Sequence, residues 1–261
     1  EAGGPAVLNG VTCRTVEGDY GVLDVEQLRD KIRPNNEHYV RTRVVSLENT
    51  HNRGGGRVFP LIKIQAIADW AHATGLVMHM DGARLWNAHV ATGTPLADWC
   101  KPFDSVSVCF SKGLGAPVGS AVAGTKEFVA RARWARKLFG GAWRQGGMLA
   151  EAALYALENN IRRMADDHRN AQVLAEAVND CPGLRLDPPF VETNLVWFEV
   201  DPEFGSAYDL ASTMKEKGVL VHASSPTALR MCTHLDISAA QAEQAAETLR
   251  RVCQGSLVTA H

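Results

Sequence analysis

The sequence predicts an α/β fold, with a mostly parallel sheet flanked by helices and a smaller C-terminal α+β domain. In the first half of the chain, short apolar runs typical of buried strands alternate with helical periodicity. In the second half, a long helical stretch precedes short strands and a final helix. The 261 residues suit one large domain or two smaller ones. We place the larger domain at residues 1–155 and the smaller one at residues 156–261.

The strands of the first half are apolar runs that end in polar or glycine-containing loops. They are expected at residues 44–47, 76–80, 104–110 and 120–124. Between the first two, residues 61–73 repeat apolar side chains at the spacing of an amphipathic helix. Gly75 is expected to end that helix in a left-handed conformation. Upstream of these elements, residues 11–24 also have a strand-like pattern.

The second half begins with a helical segment at residues 125–139 and a glycine-rich break at residues 140–147. A long helical stretch follows Met148 and ends at Pro182. Short strands are then expected at residues 194–200, 218–224 and 228–232. The spacing of Ser238 and Gln241 predicts a capping box that opens the last helix.

Charge and cysteine usage exclude several classes of protein. Lys and Arg number 27 and Asp and Glu 29, which gives a net charge of −2 and argues against binding to nucleic acid or a membrane surface through bulk charge. Neither an apolar run long enough for a membrane helix nor a signal peptide is recognisable. The six cysteines form no CxxC pair and have mostly apolar flanks, so we expect buried free thiols, no metal site and a cytoplasmic protein.

Lys112 and Asp81 each follow the end of a predicted strand. Alone, Lys112 has the ordinary interpretation of a surface lysine in a glycine-rich loop, and Asp81 that of an Asp-Gly turn. Neighbouring parallel strands would nevertheless place both at one edge of the sheet, where such folds bind ligands and partial desolvation would favour a reactive amine. A lysine that forms an imine and a carboxylate that protonates a pyridine nitrogen are the groups that pyridoxal phosphate requires. Arg84 could bind an amino-acid carboxylate through two hydrogen bonds, although it could equally be an exposed turn residue.

The histidines have different interpretations. His38 and His51 lie in polar loops, where a catalytic role competes with simple solvation. His79 lies inside an apolar strand, and His168 lies on the apolar face of its helix. We therefore expect both of the latter to be packed core residues.

Five motifs follow one another along the whole chain: SLENTHN (46–52), HMDGARLWNA (79–88), SVCFSKGLGAPVGS (107–120), GGAWRQGG (140–147) and THLD (233–236). Together they resemble the low-specificity L-threonine aldolases, which are fold-type-I pyridoxal-phosphate enzymes. The resemblance implies that Lys112 forms the Schiff base with the cofactor and that Asp81 contacts the pyridine nitrogen. It also implies that Arg84 and Arg230 bind the substrate carboxylate.

Two further roles come from the same resemblance. His38 matches a histidine that helps to move the β-hydroxyl proton, and Arg144 matches an arginine that reaches the cofactor phosphate of a neighbouring subunit. The family usually has GGGMRQ where this chain has GGAWRQ, a departure that leaves Arg144 in place. The expected assembly is a homo-oligomer, a dimer or a tetramer, with shared active sites.

The implied reaction is cleavage of the Cα–Cβ bond of a β-hydroxy-α-amino acid, which converts L-threonine or L-allo-threonine into glycine and acetaldehyde. Alternatives are another fold-type-I reaction, such as β-elimination or transamination, and an inactive fragment with a role only in assembly. Members of this family begin with a further segment that contains a glycine-containing turn for the phosphate and a histidine that stacks on the pyridine ring. Neither is identifiable here, so we expect an N-terminally incomplete copy that binds the cofactor weakly.

Overall fold

The computed structural model describes residues 2–258, with side chains up to residue 254. Its first part contains α1 (Gly4–Asn9), α2 (Val25–Arg29), β1 (Val44–Glu48), α3 (Leu61–Ala73), β2 (Val77–Gly82), α4 (Leu85–Thr92), α5 (Leu96–Cys100), β3 (Ser105–Cys109), β4 (Ser120–Gly124), α6 (Lys126–Leu138) and α7 (Gly147–Asn159). The four strands form one sheet in the order β1-β2-β3-β4. The first three are parallel and β4 runs antiparallel to β3, which confirms the mostly parallel α/β fold.

The core of this part lies between the sheet and α3. The face of α3 that carries Ile64, Ile67, Ala68 and Ala71 is completely buried, as its periodicity predicts. Met78 and Met80 of β2 point into the same core, because alternate residues of a strand share a face. The turn after α3 has the predicted left-handed Gly75, at φ 74°.

The second part contains α8 (Met164–Asn179), β5 (Leu184–Leu186), β6 (Leu195–Val200), α9 (Ala207–Glu216), β7 (His222–Ala223), β8 (Ala228–Cys232) and α10 (Ala239–Val258). Its strands form an antiparallel sheet in the order β5-β6-β8-β7. Helices α8 and α10 bury apolar side chains, among them Leu174 and Leu249, against this sheet, which contributes Phe198 of β6 to the same core. The predicted capping box opens α10: Ser238 N donates to Gln241 Oε1 at 2.8 Å, and Gln241 N donates to Ser238 Oγ at 3.3 Å.

Three predictions about elements need correction. Residues 11–24 form no strand: the segment is mostly exposed and makes a tight turn in which Asp19 and Val22 pair with each other rather than with a neighbouring strand. The strand expected at residues 218–224 shrinks to His222–Ala223, because only these residues reach the edge of β8. The helical stretch after Met148 is two helices, separated by residues 160–163.

The boundary proposed between residues 155 and 156 falls inside α7 and stays a prediction. No helix in the described range, residues 2–258, is long and apolar enough to cross a membrane.

One region of the first part is left uncovered. All five residues of β4 are exposed, and α6 buries none of its side chains. The large apolar side chains exposed on α6, α7 and the loop between them are Trp134, Leu138, Phe139, Trp143, Met148, Leu154 and Tyr155. We call these seven residues the α6–α7 apolar surface.

Candidate active site

The carboxyl ends of β1, β2 and β3 form the edge of the sheet where the predicted site residues collect. In the parallel register, Glu48 lies opposite Asp81, and Asp81 lies opposite Ser107. Lys112 follows Ser107 by five residues, just beyond the end of β3. Asp81 and Lys112 therefore leave adjacent strands at the same edge, as the sequence predicts.

The glycine between Asp81 and Ala83 sets how closely β2 and β3 approach. A Cβ atom at Gly82 would lie 2.7 Å from the carbonyl oxygen of Ser107 and 3.4 Å from Val108 Cγ1. The first distance is shorter than any van der Waals contact allows, so only glycine fits between the strands here. This close approach fixes the spacing of the two strands that carry Asp81 and Lys112.

Asp81 is exposed, and its Oδ1 accepts a hydrogen bond from Ala83 N at 3.0 Å. Its backbone oxygen accepts from Asn49 N at 3.0 Å, which ties the loop after β1 to the end of β2. Among the described residues, no ion pair involves the Asp81 carboxylate. The carboxylate is therefore available to a cationic ligand group.

The loop of Lys112 is held by its neighbours while the lysine itself stays exposed. Gly115 N donates to Lys112 O at 2.9 Å, and Gly115 has the left-handed φ of 78° that this turn requires. Leu114 is completely buried, and Asn160 Nδ2 donates to its carbonyl oxygen at 2.7 Å. The partial desolvation of Lys112 expected from the sequence is not found, because the residues that bury this loop contact Leu114 rather than the ammonium group.

Arg84 stands at the N-terminal end of α4 and is half-buried. In the first turn of this helix, Trp86 Nε1 donates to Cys109 O at 2.9 Å. This bond attaches α4 to the end of β3, so Arg84 has a fixed position relative to the strand that leads to Lys112.

Arg230 reaches the same edge from the small sheet. It lies on β8 opposite Trp197, with its guanidinium carbon 5.6 Å from the centre of the Trp197 ring. Its Nη1 donates to Asn52 Oδ1 at 3.1 Å, and Asn52 N in turn donates to Glu48 Oε1 at 3.0 Å. The second arginine is thereby fastened to the loop after β1.

Arg84 and Arg230 act on one common group, the thiol of Cys232. Removal of water raises the pKa of Cys232, whereas the positive charges of both arginines act in the opposite direction. Both positive charges are therefore close enough to influence Cys232, although Arg84 precedes α4 and Arg230 lies on the small sheet. Two positive charges near one group suit a carboxylate ligand.

Two predicted residues lie apart from this cluster. His38 is in an exposed loop, where its backbone N donates to Asn36 Oδ1 at 3.0 Å and its ring Nε2 lies 3.6 Å from Glu37 Oε1. Arg144 is exposed in the loop between α6 and α7. Within residues 2–254, no hydrogen bond or ion pair joins either side chain to Asp81 or Lys112. Their roles stay predictions.

The other histidines have structural partners. His51 Nδ1 accepts from Gly54 N at 2.9 Å, and its Nε2 lies 3.8 Å from Glu48 Oε2. His79 and His168 are half-buried and hydrogen-bonded rather than fully packed: His79 Nδ1 lies 2.9 Å from Ser105 Oγ, and His168 Nε2 lies 3.3 Å from Asn87 Oδ1. Burial lowers the pKa of His79 and lowers that of His168 to about 4.

Sequence reasoning missed the polar residues that support the arginines, among them Asn52 and Asn87. Asn52 occurs within the quoted SLENTHN motif, and its place just after a strand at the ligand-binding edge was an available signal. Asn87 lies on the buried face of α4, where the sequence alone shows no partner for it.

The donor set at this edge fits pyridoxal phosphate. An exposed lysine amine can bond the cofactor aldehyde, and the neighbouring carboxylate can bind the pyridinium nitrogen. Beside them, in the loop after β1, Asn49 Nδ2 and Thr50 Oγ1 are buried without a hydrogen-bond partner. Such orphaned polar groups are rare in proteins and are typical of sites where a polar ligand completes the bonding.

Comparison with known proteins agrees with these features. The family model "Beta-eliminating lyase" matches residues 1–201. "Probable low-specificity L-threonine aldolase 2" of Arabidopsis thaliana is 41% identical over 243 residues, an alignment that covers 91% of this chain and 68% of the relative. The low specificity L-threonine aldolase of Escherichia coli strain K12 is 39% identical over 248 residues, which cover 94% of this chain and 71% of the relative.

The structure of the threonine aldolase of Leishmania major superimposes with a TM-score of 0.78 at 20% identity, over 94% of this chain and 71% of that one. At this level of identity the likeness concerns the fold, and it confirms the fold-type-I architecture. The chain belongs to the beta-eliminating lyase family and, within it, groups with the low-specificity L-threonine aldolases.

Proposed function

We propose that this chain is a pyridoxal-phosphate-dependent aldolase that cleaves L-threonine and L-allo-threonine into glycine and acetaldehyde. The observation that carries the proposal is the edge formed by β1–β3, where Lys112 and Asp81 leave adjacent strands beside Arg84 and Arg230. The named activities of its relatives support the same reaction.

Each residue of the edge has a distinct task in this proposal. Lys112 would hold the cofactor covalently through its ε-amine until the substrate amine replaces it. Asp81 would keep the pyridine nitrogen protonated. When bound, pyridoxal phosphate supplies an electron sink for the negative charge left at Cα.

The two arginines determine which bond at Cα breaks. By binding the carboxylate together, Arg84 and Arg230 would fix the rotation of the substrate about the bond between its Cα and its own amine nitrogen. This rotation would determine which bond at Cα is aligned for cleavage, and in the proposed reaction that bond is Cα–Cβ. His38 is the proposed acceptor of the β-hydroxyl proton, directly or through a water molecule.

The test is an assay with L-threonine and L-allo-threonine in the presence of pyridoxal phosphate. We expect equal amounts of acetaldehyde and glycine, together with a visible absorbance band from lysine-bound cofactor. Lys112→Ala should abolish both, whereas Lys101→Ala, which removes another exposed lysine before β3, should change neither. Formation of ammonia and a keto acid in place of acetaldehyde would show a different fold-type-I reaction and refute the proposal.

We further propose that two or more copies assemble through the α6–α7 apolar surface. Trp134 is 83% exposed and Met148 is 85% exposed, which is costly for large apolar side chains in water. Arg144 lies in the loop that this surface surrounds, so a neighbouring copy could receive it at its cofactor phosphate. The proposed assembly is a homodimer or homotetramer with shared active sites.

A mixing experiment tests whether the sites are shared. Lys112→Ala and Arg144→Ala chains should each be inactive alone. If Arg144 acts on the neighbouring site, unfolding and refolding the two together should restore about a quarter of wild-type activity, because mixed dimers then contain one intact site. No recovery, in mixtures shown to contain mixed oligomers, would place Arg144 in its own subunit's site, and an Arg144→Ala chain that is active alone would place Arg144 outside catalysis.

A cytoplasmic location is the proposed compartment. All six cysteines are free thiols, which suits a reducing environment. Cys181 and Cys253 are buried as expected, whereas Cys100 and Cys109 are half-buried and Cys13 and Cys232 are exposed. Cell fractionation with an antibody to the chain tests this directly.

A further inference from the structure

A chain of hydrogen bonds runs from α8 through α4 to the residue before β6 and the residue after β8. It consists of His168, Asn87, Asn194 and Thr233, and we call it the polar seam. Asn87 is 2% exposed, Asn194 is 3% exposed and Thr233 is fully buried. Bonds between such buried polar groups are costly to break, because water cannot replace the lost partner.

The direction of the seam follows from its donors and acceptors. Asn194 Nδ2 donates to Thr233 O at 2.9 Å, so Asn194 Oδ1 is left to accept from Asn87 Nδ2 at 3.2 Å. Asn87 Oδ1 must then accept, and His168 Nε2 at 3.3 Å is its donor. The lowered pKa of His168, about 4, leaves a neutral ring with a single N–H for this bond at neutral pH.

Asn87 lies close in sequence to Arg84, and Asn194 is hydrogen-bonded to Thr233, which lies close in sequence to Arg230. Asn87 is on the first turn of α4, and its backbone N donates to Arg84 O at 3.0 Å. Thr233 follows Arg230 by three residues, and Thr233 N donates to Asn194 O at 3.1 Å. The Asn87–Asn194 bond therefore connects the helix that begins at Arg84 to Asn194, and the bonds between Asn194 and Thr233 continue this connection to the end of the strand that carries Arg230.

We propose that Asn87 and Asn194 are positioning residues that set the separation of Arg84 and Arg230, and thereby the tightness of the grip on the substrate carboxylate. This inference rests on the proposed function, since it assumes that the two arginines bind that carboxylate. Neither asparagine touches the substrate in this scheme. Loss of the bond lets α4 and β8 shift relative to each other, and the two guanidinium groups then no longer match one carboxylate.

Binding of two matched ligands to the cofactor-loaded full chain tests the proposal. Glycine and methylamine are both small primary amines, and methylamine has a hydrogen where glycine has its carboxylate. Both displace Lys112, so a change in the visible spectrum reports both affinities without any bond cleavage. We expect Asn87→Ala and Asn194→Ala to weaken glycine binding about tenfold and to leave methylamine binding unchanged.

The double variant sharpens the result. Because both residues act through one bond, Asn87→Ala with Asn194→Ala should weaken glycine binding about tenfold rather than a hundredfold. Asn170→Ala is the matched control: Asn170 is also a buried asparagine, 6% exposed, but its Nδ2 donates to Ile237 O at 3.0 Å, outside the seam. It should change neither affinity. Asn87→Ser, which is polar but too short to reach Asn194, replaces Asn87→Ala if the latter does not fold.

Several outcomes would overturn the inference. Equal weakening of glycine and methylamine would mean a general structural defect, and no weakening of either would mean that the seam does not support the clamp. Wild-type protein that binds glycine no more tightly than methylamine would show that the arginines bind no carboxylate. Failure of the wild type to release acetaldehyde counts only against the proposed aldolase reaction, because the ratio of the two affinities does not depend on it.

Discussion

Helices α8 and α6 have similar amphipathic sequences and opposite surroundings. Eight residues of α8 are buried against the small sheet, α10 and α4, whereas α6 buries none. Helical periodicity therefore predicts that an apolar face exists, but it does not predict which partner covers that face. For α8 the partner is the rest of this chain, and for α6 we propose that it is another copy.

The largest expected effect on the free energy of unfolding comes from truncating a buried side chain of α8. Leu174→Ala on α8 removes a side chain that is 5% exposed and should lower the free energy of unfolding by about 3 kcal/mol. At concentrations where the chain is monomeric, Trp134→Ala on α6 should change the free energy of unfolding by less than about 0.5 kcal/mol. Urea unfolding followed by circular dichroism measures both. Equal losses in the two variants would mean that α6 is packed against something within its own chain.

His168 gives the covered face a dependence on pH. Its folded pKa of about 4 lies below the usual value of 6.5, so the unfolded chain binds the extra proton more readily. The contribution of neutral His168 to the free energy of unfolding should be fully present above about pH 6.5 and should be lost as the pH falls toward 4. The expected loss is about 2 kcal/mol after allowance for screening by solvent. His168→Gln keeps an N–H donor for Asn87 without a titratable group. In this variant the unfolding midpoint should change less between pH 7 and pH 4 than it does in the wild type. An unchanged dependence of the midpoint on pH would assign that dependence to other groups.

Substitutions on the α6–α7 apolar surface should change self-association rather than the free energy of unfolding. Trp134→Glu introduces a charge at the centre of the α6–α7 apolar surface and should weaken self-association at least about tenfold in sedimentation equilibrium. Tyr208→Glu is the control, because Tyr208 is 53% exposed on α9, outside that surface. Wild-type protein that stays monomeric at high micromolar concentration would contradict the proposed assembly.

The smallest expected effect concerns the cap of α6. Thr125 Oγ1 accepts from Phe128 N at 3.2 Å, and Thr125→Ala should lower stability by about 1 kcal/mol. Because α6 has little packing to hold it, its first turn should exchange amide hydrogens faster in the variant. Hydrogen-exchange mass spectrometry over residues 125–138 measures this, and unchanged exchange would mean that the cap does not hold the turn.

Local patterns account for much of the fold. The strand at β1 and the helix at α3 follow from an apolar run and from an apolar period, and the structure has them within one residue of the expected bounds. The strand predicted at residues 11–24 was wrong because alternation alone does not show whether a neighbouring strand is present to pair with it. The strand predicted at residues 218–224 was too long for the same reason.

Some residues of the candidate site could be placed together from the sequence and others could not. Asp81 and Lys112 could be placed together from the sequence, because parallel strands end at a common edge. The bond from Arg230 to Asn52 joins residues 178 positions apart, and that from Asn87 to Asn194 spans 107. No local pattern encodes such pairs, so they emerge only once the two sheets are packed.

The contact at Gly82 has a consequence for anyone who would alter the specificity of this chain by random mutation. Position 82 sits between Asp81 and the start of α4, so a library aimed at the site would naturally include it. Every L-amino acid there would place Cβ 2.7 Å from the Ser107 carbonyl and force the strands apart. A library aimed at this site should therefore keep glycine at position 82, so that the spacing of the two strands stays intact.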